Sequence, residues 1–366
     1  MNLAHSPNAA ALLTGAVATL ITALVVPLVR WAGLHWGVID RPDERKQHSV
    51  PMVRLGGIGI VVGFSLALMV TWRLGGFAEL PPEKDQLIWT TLAGALCYFV
   101  IGLADDLFAL PPLPRLGGQL AVAMAVWSQG VRIGSLDLPA EWFGVHSPSL
   151  PLPPVLSLLA TVVWLVGITN AINWLDGLDG LAAGVSGIAA AGLLSVSFSL
   201  SQPAAGLLAA ALAGACLGFL RHNFNPARIF MGDGGSYFLG FSLAAISIVG
   251  PAKALTSVSL LLPLLILSLP VVDMSAVIMG RLSAGRSPFY PDRRHLHHRL
   301  LRAGFSHRRT VALIYAFTQS LAALALVVAD AENRFLWLAL ATAILIAVLV
   351  IARRRIQNEH RRSEDA

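Results

Sequence analysis

Residues 154–200 read PVLSLLATVVWLVGITNAINWLDGLDGLAAGVSGIAAAGLLSVSFSL. Two apolar runs, 154–172 and 178–200, meet at a short segment bearing Asn173, Asp176 and Asp179. Each run is close to the roughly 20 residues a helix needs to cross a bilayer. In lipid every backbone polar group has to pair internally, so such runs are read as helices. A carboxylate at the bilayer centre costs about 2.5–3.5 kcal/mol on insertion scales, so acids kept inside such segments mark a site.

The pattern recurs along the chain. Eleven apolar stretches read as spans: 9–31, 55–74, 87–104, 116–133, 154–172, 178–200, 204–221, 233–250, 255–280, 310–329 and 334–352. The 366 residues are 56% hydrophobic and 13% charged, with mean hydropathy +0.70. Soluble domains carry about 25% charged residues. The expected fold is an all-α polytopic membrane protein, one membrane domain over 1–352 followed by a charged tail, 353–366. Neither a 20–50-residue repeat nor an inverted pair of broken spans is visible, unlike many transporters. The first stretch lacks a basic n-region and a small-x-small cleavage site, so it reads as a span. Cys97 and Cys216 fall within spans and read as small hydrophobes rather than a disulfide.

Lys and Arg divide unevenly between the two faces. The face holding loops 32–54, 105–115, 222–232, 281–309 and the tail collects 21 of the 26. The positive-inside rule makes that face cytoplasmic, with the N-terminus outside and the C-terminus inside. The expected location is the plasma (inner) membrane. The net charge of +6 and pI near 9.9 follow from this bias and from contact with anionic lipid, so nucleic acid is not an expected partner.

Five constellations on that face carry chemistry. Asp105 and Asp106 end the third span, followed by Arg115 and Gln119. Adjacent carboxylates repel unless a cation intervenes, and they sit badly at a helix C-terminus, so they suit a hard metal ion or a base. Asn173, Asp176 and Asp179 follow an i, i+3, i+6 spacing, which on a helix spans an arc of about 120°. Asn223 and Phe230 precede Gly232-Asp233-Gly-Gly-Ser236, a helix start that offers N–H groups to an anion and one carboxylate to a metal. Arg293, Arg294, His295, His297 and His298 form a dense donor cluster. Without Cys partners or an HEXXH form it reads as a phosphate binder rather than a zinc site. A weaker mixed-charge loop carries His48 and Arg54.

Together these strings resemble the polyprenyl-phosphate N-acetylhexosamine-1-phosphate transferases, in the same order from about residue 38 to 310. The SPFYPDRRHLHH segment, 287–298, is similar to the undecaprenyl-phosphate N-acetylglucosamine-1-phosphate branch rather than the pentapeptide branch. One departure is Arg115, where many members carry Lys; Arg keeps the charge but not the compact ammonium. The resemblance implies transfer of a sugar-1-phosphate from a UDP-N-acetylhexosamine to polyprenyl phosphate with release of UMP. It implies Mg²⁺ as cofactor, with Mn²⁺ able to substitute. Asp233 would be the leading metal ligand with Asp106 beside it, and Asp105 the candidate base. Asn173, Asp176 and Asp179 would line the nucleotide pocket with Phe230 near the uracil, and His295, His297 and His298 would lie over the diphosphate. Arg54, His48, Arg115, Asn223, Arg293 and Arg294 would contact substrate. A homodimer is one option for the assembly. The pentapeptide-sugar translocase is the alternative within the class, and a transporter the alternative outside it; acids at one face argue against the latter.

Overall fold

A proline opens the first turn of α1 (Pro7–His35), α3 (Pro82–Phe108), α4 (Pro112–Ser128), α5 (Pro154–Leu175) and α7 (Pro203–Asn223). There the missing N–H is one that no helix satisfies, and φ is already helical. Between and after them run α2 (Gly57–Arg73), α6 (Leu181–Ser199), α8 (Gly232–Val249), α9 (Leu261–Ile266), α10 (Ser268–Leu282), α11 (Leu296–Arg302), α12 (His307–Val328) and α13 (Phe335–Ala347). The computed structural model describes residues 6–40, 52–136, 150–250, 261–287, 294–329, 335–347 and 350. His48, Arg293 and the 353–366 tail lie outside them.

Each of the eleven apolar stretches overlaps a helix. Among the described residues six helices, α1, α3, α5, α6, α7 and α12, are long and apolar enough to cross a membrane; α2 and α13 are apolar but shorter. The chain is a mostly helical, multi-pass membrane protein. Leu20, Leu24 and Leu28 line one exposed stripe of α1, the face a bilayer would cover.

Two expectations need correction. The ninth stretch, 255–280, is not one helix: α9 stops at Ile266 and α10 starts at Ser268. Pro270 lacks the N–H that would bond back to Ile266, and its ring crowds that carbonyl. Two short strand pairs accompany the helices without changing the all-α class. Ile39–Asp40 (β1) pairs antiparallel with Met52–Val53 (β2), and Ser135–Leu136 (β3) with Leu150–Pro151 (β4). Finally, Asn173, Asp176 and Asp179 do not share a helical arc. α5 ends at Leu175, Asp176 caps it, and Gly180 turns left-handed at φ 78° before α6.

α8 sits at the centre. Every residue from Gly234 to Val249 is buried, packed chiefly against α3 and α5. Protein surrounds this helix, and Asp233 stands half-buried in its first turn. The two cysteines are free; Cys216 is buried and Cys97 exposed.

Candidate active site

The end of α3 meets the start of α8. Gly102 permits this, since a Cβ there would stand 2.6 Å from Gly234 N and overlap the Asp233 carbonyl. α3 runs on to Phe108, so Asp105 and Asp106 occupy its last turn, where its own dipole disfavours them. The neighbouring helix start offsets this. Gly234 N donates to Asp106 Oδ2 at 3.0 Å. Arg54, entering from the β2–α2 connection, stands 3.8 Å from Asp106 Oδ1. Asp105 is buried, pairs with Arg115 of α4 and interacts with Asp233.

α5 supplies the third side. Asn173 Nδ2 donates to Asp233 Oδ1 and to Ser236 Oγ, each at 2.9 Å. Asp176 follows in the connecting turn. Burial pushes its carboxyl up to about 7, and the charges of Asp233, Asp106 and Asp179 push the same way against Arg54. Four carboxylates, Asp105, Asp106, Asp176 and Asp233, thus crowd around two guanidiniums. Among the described residues no three His, Cys, Asp or Glu side chains stand in a ready metal-holding group.

Beside this cluster a cavity of about 260 Å³ opens between α4, α5, α8 and α10. Arg115, Asn170 and Asn173 face it at the polar end, and Val166, Met274 and Ile278 form apolar wall. Gln119 is fixed there by Asn170 Nδ2, which donates to its Oε1 at 2.8 Å.

Asp179 and Asn223 brace loops. Asp179 Oδ2 accepts from Asn225 Nδ2 at 2.9 Å and Ala227 N at 3.0 Å. Buried Asn223 takes the Gly180 N–H at 3.0 Å and donates to Ile229 O at 2.9 Å. Phe230 is held through its backbone: its N–H donates to Val53 O and its carbonyl accepts from Gly56 N, both at 2.9 Å.

The histidines form a second layer. His295 Nδ1 lies 2.9 Å from Asp273 Oδ2, and Leu296 N donates to Asp273 Oδ1 at 2.7 Å. Asp273 therefore anchors the start of α11. His297 is buried, and a Cβ on Gly177 would stand 2.5 Å from its Nε2. Its ring sits directly on the Asp176 turn. Burial, then the positive fields of His298 and His295, lower its pKa to about 3, so it is neutral near pH 7. His298 is 4.2 Å from it, ring to ring. Arg294 is exposed and donates to Gly280 O at 3.4 Å.

Residues 88–251 match the sequence profile of glycosyl transferase family 4. The chain is 34% identical over 340 residues to the probable undecaprenyl-phosphate N-acetylglucosaminyl 1-phosphate transferase of Bacillus subtilis, covering 92% of this chain and 88% of that protein. The chain belongs to glycosyl transferase family 4. Two further relatives are similar over most of their length. The decaprenyl-phosphate N-acetylglucosaminephosphotransferase of Mycolicibacterium smegmatis is 35% identical over 83% of this chain and 78% of its own. The undecaprenyl-phosphate alpha-N-acetylglucosaminyl 1-phosphate transferase of Haemophilus influenzae is 32% identical over 82% and 80%.

The family 4 match spans α3 to α8, and so holds Asp105, Asp106, Arg115, Asn173, Asp176 and Asp233, which the fold brings together. Arg54 joins them from outside it. His297 reaches the cluster through Gly177, with the His295 and His298 rings against it, while Phe230, Asn223 and Asp179 shape the adjoining loops. Three further side chains support the site. Ser236 fixes Asn173. Trp174 lines the cavity and stacks under buried Arg281, whose guanidinium carbon is 4.9 Å from the ring centre. Trp174 lies within the Asn/Asp string and was legible there; Arg281 ends an apolar stretch and was not.

Proposed function

We propose that this protein transfers N-acetylglucosamine-1-phosphate from UDP-N-acetylglucosamine to a polyprenyl phosphate, releasing UMP, at the cytoplasmic face of the plasma membrane. The observation that carries the reading is the carboxylate cluster at the polar end of a largely apolar cavity. An acceptor with an isoprenoid tail needs apolar walls, and its phosphate needs the cations beside them. The names of the relatives support the acceptor and the transferred group. The Lys/Arg distribution supports the sidedness, with eleven spans and the N-terminus outside.

A hard divalent cation fits the donor set. The site offers carboxylate oxygen and no thiolate. Asp106 Oδ1 is buried and accepts no hydrogen bond. Asp233 and Asp106 are the residues that would hold Mg²⁺, or Mn²⁺ in its place. Bound there, the ion would neutralise phosphate charge, and a diphosphate and a phosphate could then approach each other.

The side chains divide the remaining work. An oxygen of the acceptor phosphate attacks the sugar-side phosphorus of the donor. The bond from that phosphorus to the bridging oxygen breaks, and the oxygen leaves with UMP. Arg115 and Arg54 supply fixed positive charge around the reacting phosphates. Asp105, paired with Arg115, accepts the proton when the acceptor arrives as a monoanion. Asn173 orients the Asp233 carboxylate. Neutral His297 keeps the Asp176 turn in place, and His298 and Arg294 stand at the donor side. Excluding bulk water keeps hydrolysis from competing.

The test offers purified protein UDP-N-acetylglucosamine, UDP-N-acetylgalactosamine and UDP-MurNAc-pentapeptide, each with polyprenyl phosphate and Mg²⁺, and measures UMP. Release is expected with the first. Release with the pentapeptide donor alone would overturn the reading.

A further inference from the structure

We propose that α12 is the element that fixes the nucleotide end of the donor site, with Tyr315 and Arg308 as positioning residues. The inference rests on the UDP-sugar reading above. α12 lies wholly outside the 88–251 family match, and none of its residues belongs to the carboxylate cluster.

Three of its side chains reach loop carbonyls. Tyr315 donates its O–H to Gly180 O. Arg308 NH2 donates to Asn225 O at 3.0 Å. His307 Nε2 stands 3.4 Å from Asp179 O. Positions 308 and 315 are seven apart, two helical turns, and so share one face. That face lies against both loops at once: 176–180, which follows Asp176, and 224–230, which carries Phe230.

The contacts close a circuit. Gly180 has its N–H held by Asn223 and its C=O held by Tyr315. Asn225 has its side chain held by Asp179 and its carbonyl held by Arg308. Asn223 then ties Ile229 to the same frame. Gly184 on α6 completes it, because a Cβ there would overlap the Tyr315 phenol. The ring is therefore wedged between helices, and its hydroxyl has one direction to point. A circuit of this kind locks the two loops against each other in one arrangement, so a donor nucleotide resting on them meets a preformed surface. Tyr315 and Arg308 touch neither the reacting phosphates nor each other. They act through Gly180 and Asn225.

The experiment measures UMP release by the full-length protein, with donor and acceptor titrated separately. Tyr315→Phe removes one hydroxyl and keeps the ring; Arg308→Ala removes the other tie. Losing one such hydrogen bond corresponds to about a three- to tenfold change. Each variant is expected to raise the KM for the UDP-sugar by about that factor, with acceptor KM and thermal midpoint unchanged. Combined, they should raise it by less than the product, since the two ties serve one frame. Arg308→Lys should recover part of the loss. Arg309→Ala, on the exposed side of the same turn, should leave donor KM alone. Wild-type donor KM in both single variants would overturn the proposal, as would an equal rise in Arg309→Ala, which would indicate a diffuse basic field. Absence of UMP release from the wild-type protein with every UDP-sugar would remove the donor reading itself, and this inference with it.

Discussion

Replacing Gly102 by Ala adds a single methyl group at the place where α3 meets α8. The three atoms nearest that methyl are all backbone: the Asp233 carbonyl oxygen and carbon, the carbon at 2.5 Å, and Gly234 N at 2.6 Å. None can rotate away. Ordinary contact begins at 3.4 Å, so the helices have to part by about 1 Å, an overpacking cost of about 1–3 kcal/mol. The parting acts along the line joining Asp106 to Gly234 N and Asp105 to Asp233. A displacement of about 1 Å between catalytic groups can cost on the order of a hundredfold. Gly102→Ala is therefore expected to fold with a lowered thermal midpoint and to lose about a hundredfold in kcat for UMP release, with smaller changes in either KM. Gly117→Ala on α4 is the matched control, since a Cβ there meets nothing within 4 Å. Wild-type kcat in Gly102→Ala, or equal losses in the two variants, would refute the claim that the α3–α8 contact sets the site.

Activity should require a divalent hard cation, and full turnover in excess EDTA would contradict this. Asp233→Asn removes a charge but little volume. It should abolish most turnover while keeping or raising the thermal midpoint, because the remaining carboxylates lose a like-charged neighbour. His297 gives a pH signature. Its pKa near 3 lies below its unfolded value of about 6.5. On acidification the unfolded chain gains a proton that the folded chain refuses, so this residue's share of stability falls between about pH 6.5 and 3. His297→Gln should lack that part of the slope in thermal melts, and an unchanged slope would show the ring to be protonated in the fold. In intact cells, Ser287→Cys should resist a membrane-impermeant thiol reagent while Ala140→Cys, outside the described residues, should label. The reverse pattern would invert the topology.

Much of the helical layout was legible because burial in lipid writes itself as long apolar runs. That Asp105, Asp106, Asp176 and Asp233 would come together was legible for the converse reason: an acid in or beside such a run is costly unless other groups hold it. What periodicity missed is physical. The i, i+3, i+6 arc it offered for Asn173, Asp176 and Asp179 would need a helix through 179, whereas α5 ends at Leu175 and Asp179 turns to hold Asn225 and Ala227. It read 255–280 as one span, although Pro270 breaks it between α9 and α10. The short strand pair that closes onto Val53 carries too few residues to show alternation. Arg308 and Tyr315 were invisible for a different reason. Each acts on a carbonyl more than eighty residues away in sequence, and no local pattern encodes such a partner.

The central claim is that phosphorus, not the sugar carbon, is the atom attacked. UDP-N-acetylglucosamine labelled at its sugar-side phosphorus, incubated with the protein, polyprenyl phosphate and Mg²⁺, tests it directly. The account predicts that the label enters the lipid fraction and that the nucleotide product is unlabelled UMP. Label recovered in UDP, with the sugar alone on the lipid, would mean cleavage at the glycosidic carbon and would contradict it.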